Sequence, residues 1–131
     1  MAVLISAATI AVVVAAGAVW AIRRSMEGLC QNFPVASLPS PDGRFRVQVF
    51  ERDCGATTGT STQASILGIH EGLPNVSGNA FAAETTAEVD ISWQSPTAIL
   101  VKHAYSVRLH PIAVRVQGVA VHYEAEGKGG G

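Results

Sequence analysis

Phe50-Glu-Arg-Asp-Cys-Gly-Ala-Thr-Thr-Gly-Thr-Ser-Thr-Gln63 is the stretch of sequence that decides the fold of this chain. It holds one of the two cysteines, an Arg-Asp pair, two glycines and a run of hydroxyl side chains. Glycine and aspartate favour turns, because glycine accepts positive φ and aspartate bonds its own backbone. We therefore predict that the stretch joins the first two strands of a β domain.

The segments around this stretch carry the alternation that is typical of half-buried strands. Apolar side chains at 45, 47 and 49 alternate with polar ones at 44, 46 and 48, which predicts a strand over 44–50. Further strands are predicted at 60–69, 79–83, 88–93 and 98–103. The turn residues at 94–97 make the last two a hairpin, with Val89, Ile91 and Trp93 facing inward.

A second hairpin is predicted near the C-terminus, where apolar residues change phase at Gln117 and Gly118. A two-residue turn there pairs 116 with 119, 114 with 121 and 112 with 123, and all three pairs lie on one face. A bulge at Gly118 within one long strand is the alternative. The fold class is therefore mainly β: a small antiparallel β-sheet domain, which can curl into a half-barrel, behind an N-terminal helix.

The N-terminal segment has no charged side chain from residue 2 to residue 22. Roughly 20 such residues in a helix match the ~30 Å hydrocarbon core of a bilayer. Trp20 and two arginines follow at the depth of the lipid headgroups. We predict an uncleaved transmembrane anchor; a cleaved signal peptide is the alternative, because residues 16–18 form an Ala-x-Ala site.

The prediction divides the chain into four parts. Residues 1–24 form the anchor or signal segment, 25–43 a lead-in that contains Cys30, 44–126 the β domain and 127–131 a flexible Gly-rich tail. The arginines after the anchor favour a cytoplasmic domain by the positive-inside rule, whereas paired cysteines favour an oxidising compartment. We predict that the domain lies outside the cytosol, or is secreted if the signal is cleaved.

The chain has two cysteines, Cys30 and Cys54, so only one intramolecular disulfide is possible. The bridge would close a loop of ~25 residues and constrain the unfolded chain by on the order of 3 kcal/mol. We predict this disulfide, because a small domain with a thin core gains most from such a link. Two free thiols in a cytosolic domain are the alternative.

Composition and spacing argue against several classes of function. The net charge of −1 gives no basis for nucleic-acid binding. The histidines at 70, 103, 110 and 122 lack the spacing of a zinc site, and the glycines of 55–59 are not followed by the Gly-Lys-Ser/Thr ending of a phosphate-binding loop. We therefore predict no catalytic residue, no metal and no cofactor.

The candidate binding surface is the loop 54–63 together with the Arg-Asp pair before it. The guanidinium of its arginine could form bidentate hydrogen bonds to a carboxylate or phosphate of a ligand. The interpretation that we favour is that the aspartate caps turn amides and the arginine is solvated or paired within the domain. The candidate residues are Arg52, Asp53, Gly55, Thr57, Thr58, Gly59 and Gln63.

The string Phe-x-Arg-Asp-Cys-Gly-Ala-Thr-Thr-Gly at 50–59 is long and specific, and weaker matches accompany it at Cys30, 40–43, 61–63, 78–81, Trp93 and Tyr123. With these residues the chain resembles a family of short, uncharacterised bacterial envelope proteins with one N-terminal apolar segment. The resemblance implies a β fold and a location on the inner membrane of the cell envelope. It implies no activity.

The leading hypothesis is a non-enzymatic, membrane-anchored envelope domain. Residues 2–22 hold it in the membrane, and an unknown protein or small molecule binds the loop 54–63. One alternative is a small envelope enzyme with Asp53 or a histidine as its base. The other is an accessory subunit of a membrane complex, because Gly17 and the alanines near it permit close helix approach.

Overall fold

A computed structural model of the chain describes residues 6–27, 29–55 and 59–127. These residues form one helix and nine strands, and β structure dominates after the helix, as predicted. The elements are α1 Ala7–Glu27, β1 Gln31–Pro39, β2 Phe45–Asp53, β3 Thr60–Gly68, β4 Phe81–Ala83, β5 Val89–Ser95, β6 Ala98–Ala104, β7 Leu109–Pro111, β8 Arg115–Val116 and β9 Val119–Glu126.

The helix α1 is apolar, and its described side chains are exposed. Ser6 begins it, because the Ser6 hydroxyl accepts a hydrogen bond from the backbone N of Thr9 at 3.3 Å, as an N-cap does. All side chains from 7 to 22 are exposed, and Val12 is 68% exposed. Among residues 6–27, 29–55 and 59–127, no helix is long and apolar enough to cross a bilayer, so the predicted transmembrane helix is not supported.

The first sheet is antiparallel and contains five strands in the order β1-β2-β3-β4-β7. Its centre is the β2–β3 pair, which confirms the first two strands predicted from sequence. This pair is continuous from Phe45 opposite Gly68 to Asp53 opposite Thr60. The stretch quoted first therefore does join two neighbouring strands of one hairpin.

Strand β1 lies in the segment that the sequence predicts to be a lead-in. It pairs with β2 from Gln31 to Pro39, and a bulge between Pro34 and Ala36 interrupts the register. Proline removes a ladder donor and is confined to edges and bulges, which is why the sequence does not read as a strand. β1 is accordingly at the edge of the sheet.

The second sheet contains four strands in the order β5-β6-β9-β8 and is mixed. β5 and β6 form the predicted hairpin, with Val89 opposite His103 and Ser95 opposite Ala98. β9 runs parallel to β6, which corrects the prediction of a wholly antiparallel domain. Parallel neighbours need a crossover connection, and residues 105–118 provide it while they contribute β7 to the first sheet.

The predicted two-residue turn between β8 and β9 is confirmed. Gln117 and Gly118 have φ of 52° and 81°, as a type I′ turn requires. The prediction that three apolar pairs share one buried face is wrong, because Val114 is 75% exposed and Ile112 is 51% exposed. β8 is short because the chain before it pairs elsewhere: the backbone N of Ile112 donates to the carbonyl of Ala80 at 2.9 Å.

The two sheets pack face to face, rather than one sheet curling into a half-barrel. Both sheets contribute to one apolar core, and strand alternation directs alternate side chains of each strand into it. The buried members are Val47, Val49, Ala64, Ile66, Ala80, Phe81, Ile91, Ile99, Val101, Val119 and Val121. The described β region is therefore a β-sandwich that contains one disulfide.

Three aromatic side chains, those of Phe81, Trp93 and Tyr123, lie in the core or pack against it. The ring of Phe81 is buried and meets Tyr123 edge-on, with centroids 6.3 Å apart. The Tyr123 hydroxyl donates to the carbonyl of Ala80 at 3.1 Å, and burial raises the pKa of Tyr123 to about 12. Trp93 packs partly buried against the core, whereas Tyr105 is 65% exposed.

Residues 69–79, which we call the strap, lie over the outer face of the first sheet. Side chains on that face bond to the strap: Arg46 donates to the carbonyl of Glu71 at 2.6 Å, and Ser65 Oγ accepts from the backbone N of Asn79 at 3.1 Å. These two side chains come from neighbouring strands, so the strap is attached across both.

The strap gives the first sheet a second buried layer. Phe50 and Leu67 face away from the main core by strand alternation, yet they are 0% and 2% exposed. Asn79 fixes the end of the strap, because its Oδ1 accepts from the backbone N of Ile66 at 2.8 Å and its Nδ2 donates to the carbonyl of Ile66 at 2.9 Å. One amide side chain thus pairs with β3 as a strand would.

Gly78 is the point where the strap approaches the sheet most closely. A Cβ at this position would lie 2.5 Å from the carbonyl oxygen of Ala64 and 3.0 Å from that of Phe81. Both obstacles are backbone atoms of paired strands, so neither can move freely. Only glycine fits between them.

We expect Gly78→Ala to lower the free energy of unfolding by about 1–3 kcal/mol, the usual cost of forcing extra volume into a packed site. Gly72→Ala, in the same strap, is the matched control, because a Cβ there meets no atom within 4 Å. Urea unfolding of the full chain in non-ionic detergent, followed by tryptophan fluorescence, measures both. Equal midpoints for the two variants would contradict the packing described for Gly78.

Candidate functional site

The candidate loop 54–63 follows the last residue pair of the β2–β3 hairpin. Gly55 and Gly59 have φ of 98° and 70°, a region that side chains with a Cβ rarely adopt, so the two glycines permit the tight return. The backbone N of Gly59 donates to the carbonyl of Gly55 at 3.0 Å. Asp53 Oδ1 accepts from the backbone N of Gly55 at 2.9 Å, which is the capping role that the sequence favours.

Two residues of the candidate set lie outside the described part of the chain. They are Thr57 and Thr58, which precede Gly59 in the sequence. Their hydroxyls remain candidate binding groups on the basis of the sequence alone.

The predicted disulfide between Cys30 and Cys54 is present. It follows directly on the pair formed by Gln31 and Asp53, where β1 and β2 end together. Cys30 is buried, with 9% of its surface exposed. The bond therefore joins the base of the candidate loop to the segment that follows α1.

Arg52 is buried and bonded within the domain. It is 8% exposed, and its Nη1 donates to Oδ1 of Asn32 at 2.8 Å and to Oδ1 of Asn75 at 3.2 Å. Asn32 belongs to β1 and Asn75 to the strap. The guanidinium therefore holds these two segments to β2 and is not presented to a ligand in solution.

The two asparagines complete a network around Arg52. Asn32 Nδ2 donates to two carbonyls of the strap, at 2.8 and 3.0 Å, and Asn75 Nδ2 donates to the carbonyl of Cys30 at 2.9 Å. Each amide uses its oxygen toward the guanidinium and its nitrogen toward backbone, which satisfies both of its ends. The network and the disulfide meet at Cys30.

Gln63 has a similar internal role. It is 7% exposed, its Oε1 accepts from the backbone N of Gly78 at 2.7 Å, and its Nε2 donates to Ser61 Oγ at 2.8 Å. The described polar side chains of the candidate set are thus engaged within the domain. Residues 55–59 therefore stay the predicted contact for a partner.

Sequence reasoning missed the asparagines that hold the strap: Asn32, Asn75 and Asn79. They occupy segments without a periodic pattern, and an amide in a loop is usually read as a solvated turn residue. The Pro-Asn and Gly-Asn pairs at 74–75 and 78–79 are the only sequence signal for them. Their partners are distant in sequence, and Arg52 bonds a residue 23 positions away.

No histidine is hydrogen-bonded to the described residues of the loop. Among the described residues, His110 Nε2 lies 3.1 Å from Glu84 Oε1 on the exposed surface, and His103 bonds the carbonyl of its neighbour. The same residues contain no group of three potential metal ligands. The enzyme hypothesis requires an acid–base pair within hydrogen-bond reach at the loop, and no described histidine forms one with Asp53.

Comparison of the chain with protein-family models, curated proteins and solved structures finds no match. The resemblance to bacterial envelope proteins therefore stays a prediction. The functional assignment that follows rests on the geometry of this chain.

We expect Arg52→Met to loosen the strap. The substitution keeps most of the aliphatic volume but removes the charged donor shared by the amide oxygens of half-buried Asn32 and exposed Asn75, and the lost hydrogen bonds cost about 1–3 kcal/mol. Amide hydrogen exchange over 69–79 should accelerate, while exchange in β6 and β9 should change little. Arg108→Met is the control, since Arg108 is exposed and its side chain forms no hydrogen bond or ion pair among the described residues. Unchanged exchange in the strap would refute this role for Arg52.

Proposed function

We propose that the protein is a non-catalytic binding domain of the bacterial cell envelope, attached to the inner membrane by residues 2–22 and lying outside the cytosol. Its partner binds residues 55–59, which connect β2 to β3 in the sequence. The observation that carries the proposal is the disulfide between Cys30 and Cys54, which ties that hairpin to the end of the apolar helix.

A bilayer is the cover that best fits the surface of α1. Its large apolar side chains are exposed on every side of the helix; Ile10, Val14 and Ile22, for example, are 54%, 65% and 58% exposed. A helix that packs on a protein surface needs only an apolar stripe, whereas one that is apolar all round is covered on all sides. Trp20 and the following arginines are the residue types enriched at a membrane interface.

The disulfide keeps the candidate loop close to the end of this helix. From Glu27 to Cys30 the chain can span at most ~11 Å, even when fully extended. Bridged cysteines have Cα atoms about 6 Å apart. The base of the loop therefore lies within roughly 20 Å of the last helical residue, and a partner bound at the turn would sit near the membrane surface.

The disulfide also supports a location outside the cytosol, because such bonds persist in oxidising compartments. The arginines at 23 and 24 favour the opposite orientation by the positive-inside rule. Thiol labelling of intact bacterial cells distinguishes the two orientations, since the same cysteines report both the bond and the compartment.

With the domain outside the cytosol, a membrane-impermeant maleimide should label the wild-type chain only after an impermeant reductant is added. In Cys30→Ser, the freed Cys54 thiol should be labelled directly. A cysteine-free chain carrying Glu124→Cys, an exposed site on β9, controls for access to the domain. Labelling of this control only after permeabilisation would overturn the proposed orientation.

For the binding turn, we expect Thr57→Ala/Thr58→Ala to reduce recovery of the partner at least about fivefold, because each lost hydrogen bond is worth about 1 kcal/mol. The measurement is capture by the tagged full chain from detergent-solubilised, chemically crosslinked envelopes. Thr85→Ala/Thr86→Ala changes another exposed threonine pair and serves as the control. Arg52 is left intact because its substitution disturbs the strap. Equal recovery by both variants would refute binding at this turn.

A further inference from the structure

We propose a second binding site, the cleft between β1 and β5, which takes a basic peptide segment in an extended conformation as an added strand on β5. Its lining shares Thr62 with the loop 54–63 but includes neither Gly55 nor Gly59, and it does not depend on membrane attachment. Its occupant is identified by the shape, the free strand edge and the charge of the cleft.

The cleft lies along the side of the sandwich where both sheets end. β1 is the edge of the first sheet and β5 is the edge of the second, so no further strand closes the gap between them. The cavity has a volume of about 250 Å³. Its apolar lining comes from both sheets and includes Val35, Leu38, Val49, Val89 and Ile91.

Two hydrogen bonds between the sheets mark the ends of the cleft. Trp93 Nε1 donates to the carbonyl of Leu38 at 2.9 Å, and the backbone N of Ala87 donates to Thr62 Oγ1 at 2.9 Å. The flank that β1 contributes between them, residues 35–38, is about 13 Å long at the usual rise of a strand. The cleft thus accommodates a short extended segment rather than a folded domain.

β5 is the edge that an added strand can join. It contains no proline, and in the described part of the chain no backbone hydrogen bond connects its outer edge to another segment. β1 is protected in comparison, because Pro34, Pro39 and a bulge interrupt its ladder. Backbone pairing of a guest peptide is therefore assigned to β5.

The charged residues that line the cleft are all acidic: Glu51, Glu88 and Asp90. The lysine opposite Asp90 on β6 is Lys102, and its Nζ lies 3.4 Å from Glu126 Oε1, so this cation is shared with another carboxylate. A basic guest complements the remaining negative charge, and an acidic guest is repelled by it.

The alternation of β5 specifies the pattern of the guest. Val89 and Ile91 lie on the core-facing side of β5 and line the cleft, whereas Asp90 between them alternates to the opposite side of the strand and lines the exposed rim of the cleft. An added strand alternates in the same way. Its apolar side chains then enter the cleft over Val49, and its basic side chains lie beside Asp90 and Glu88. The favoured guest alternates small apolar and basic residues.

The probe is the synthetic peptide acetyl-(Lys-Val)4-amide, added to the full chain in non-ionic detergent at low salt. Amide hydrogen exchange followed by NMR should slow at alternate positions of β5, while exchange at Gly55 and Gly59, which do not line the cleft, stays unchanged. Acetyl-(Glu-Val)4-amide should not bind. Acetyl-(Lys-Pro)4-amide keeps the positive charge but cannot pair as a strand, so it should leave β5 exchange unchanged.

Variants locate the site. Glu88→Gln and Asp90→Asn should each weaken binding about two- to fivefold, as expected for exposed charge pairs, and Ala36→Trp should block the cleft from an exposed position on β1. Glu124→Gln, on β9, should bind normally, and unfolding curves verify that each variant is folded. Equal binding of the glutamate or proline peptide, or equal weakening by Glu124→Gln, would overturn the proposal.

Discussion

The guanidinium of Arg52 is a positive charge withdrawn from water, and the rest of this side of the domain is arranged around satisfying it. A buried charge is tolerated only when hydrogen bonds replace its hydration. Two asparagine oxygens do so, one from β1 and one from the strap, and the nitrogens of the same amides bond backbone carbonyls. If β1 or the strap separated from β2, polar groups on the remaining segments would lose their hydrogen-bond partners. The adjacent disulfide keeps β1 in place and so preserves half of the network.

This constraint separates residues that support the domain from residues that can meet another molecule. The side chains of Arg52 and Gln63 are the ones best suited to bind a ligand, but both are hydrogen-bonded within the domain. In the described part of the chain, the unpaired edge of β5 remains accessible. A strand edge of this kind can recognise a partner by shape and by main-chain hydrogen bonds.

Local patterns explain what could be predicted from the sequence. Period-two alternation identified β2, β3 and the β5–β6 hairpin, and a phase change identified the turn at Gln117 and Gly118. A unique pair of cysteines identified the disulfide. The features that were not predicted depend on contacts between distant residues, or lie in segments whose local sequence is atypical. The prolines of β1 are atypical of a strand, and the parallel neighbour of β6 follows a crossover connection. The amides that bond Arg52 are 20 and 23 residues distant from it. In the site, residue types were anticipated, but their partners were not.

The position of β9 has a consequence for how the molecule acquires its shape. This strand, Val119–Glu126, comes last in the chain but lies inside the second sheet, between β6 and β8. During synthesis, β5 and β6 emerge early as a hairpin with one flank uncovered, and they stay so until the final strand arrives alongside. Long-range parallel pairing is slow, and unsatisfied strand flanks invite association with other chains. In a nascent copy of this protein, the flank of β6 that β9 covers therefore stays open to association with other chains until β9 has been released.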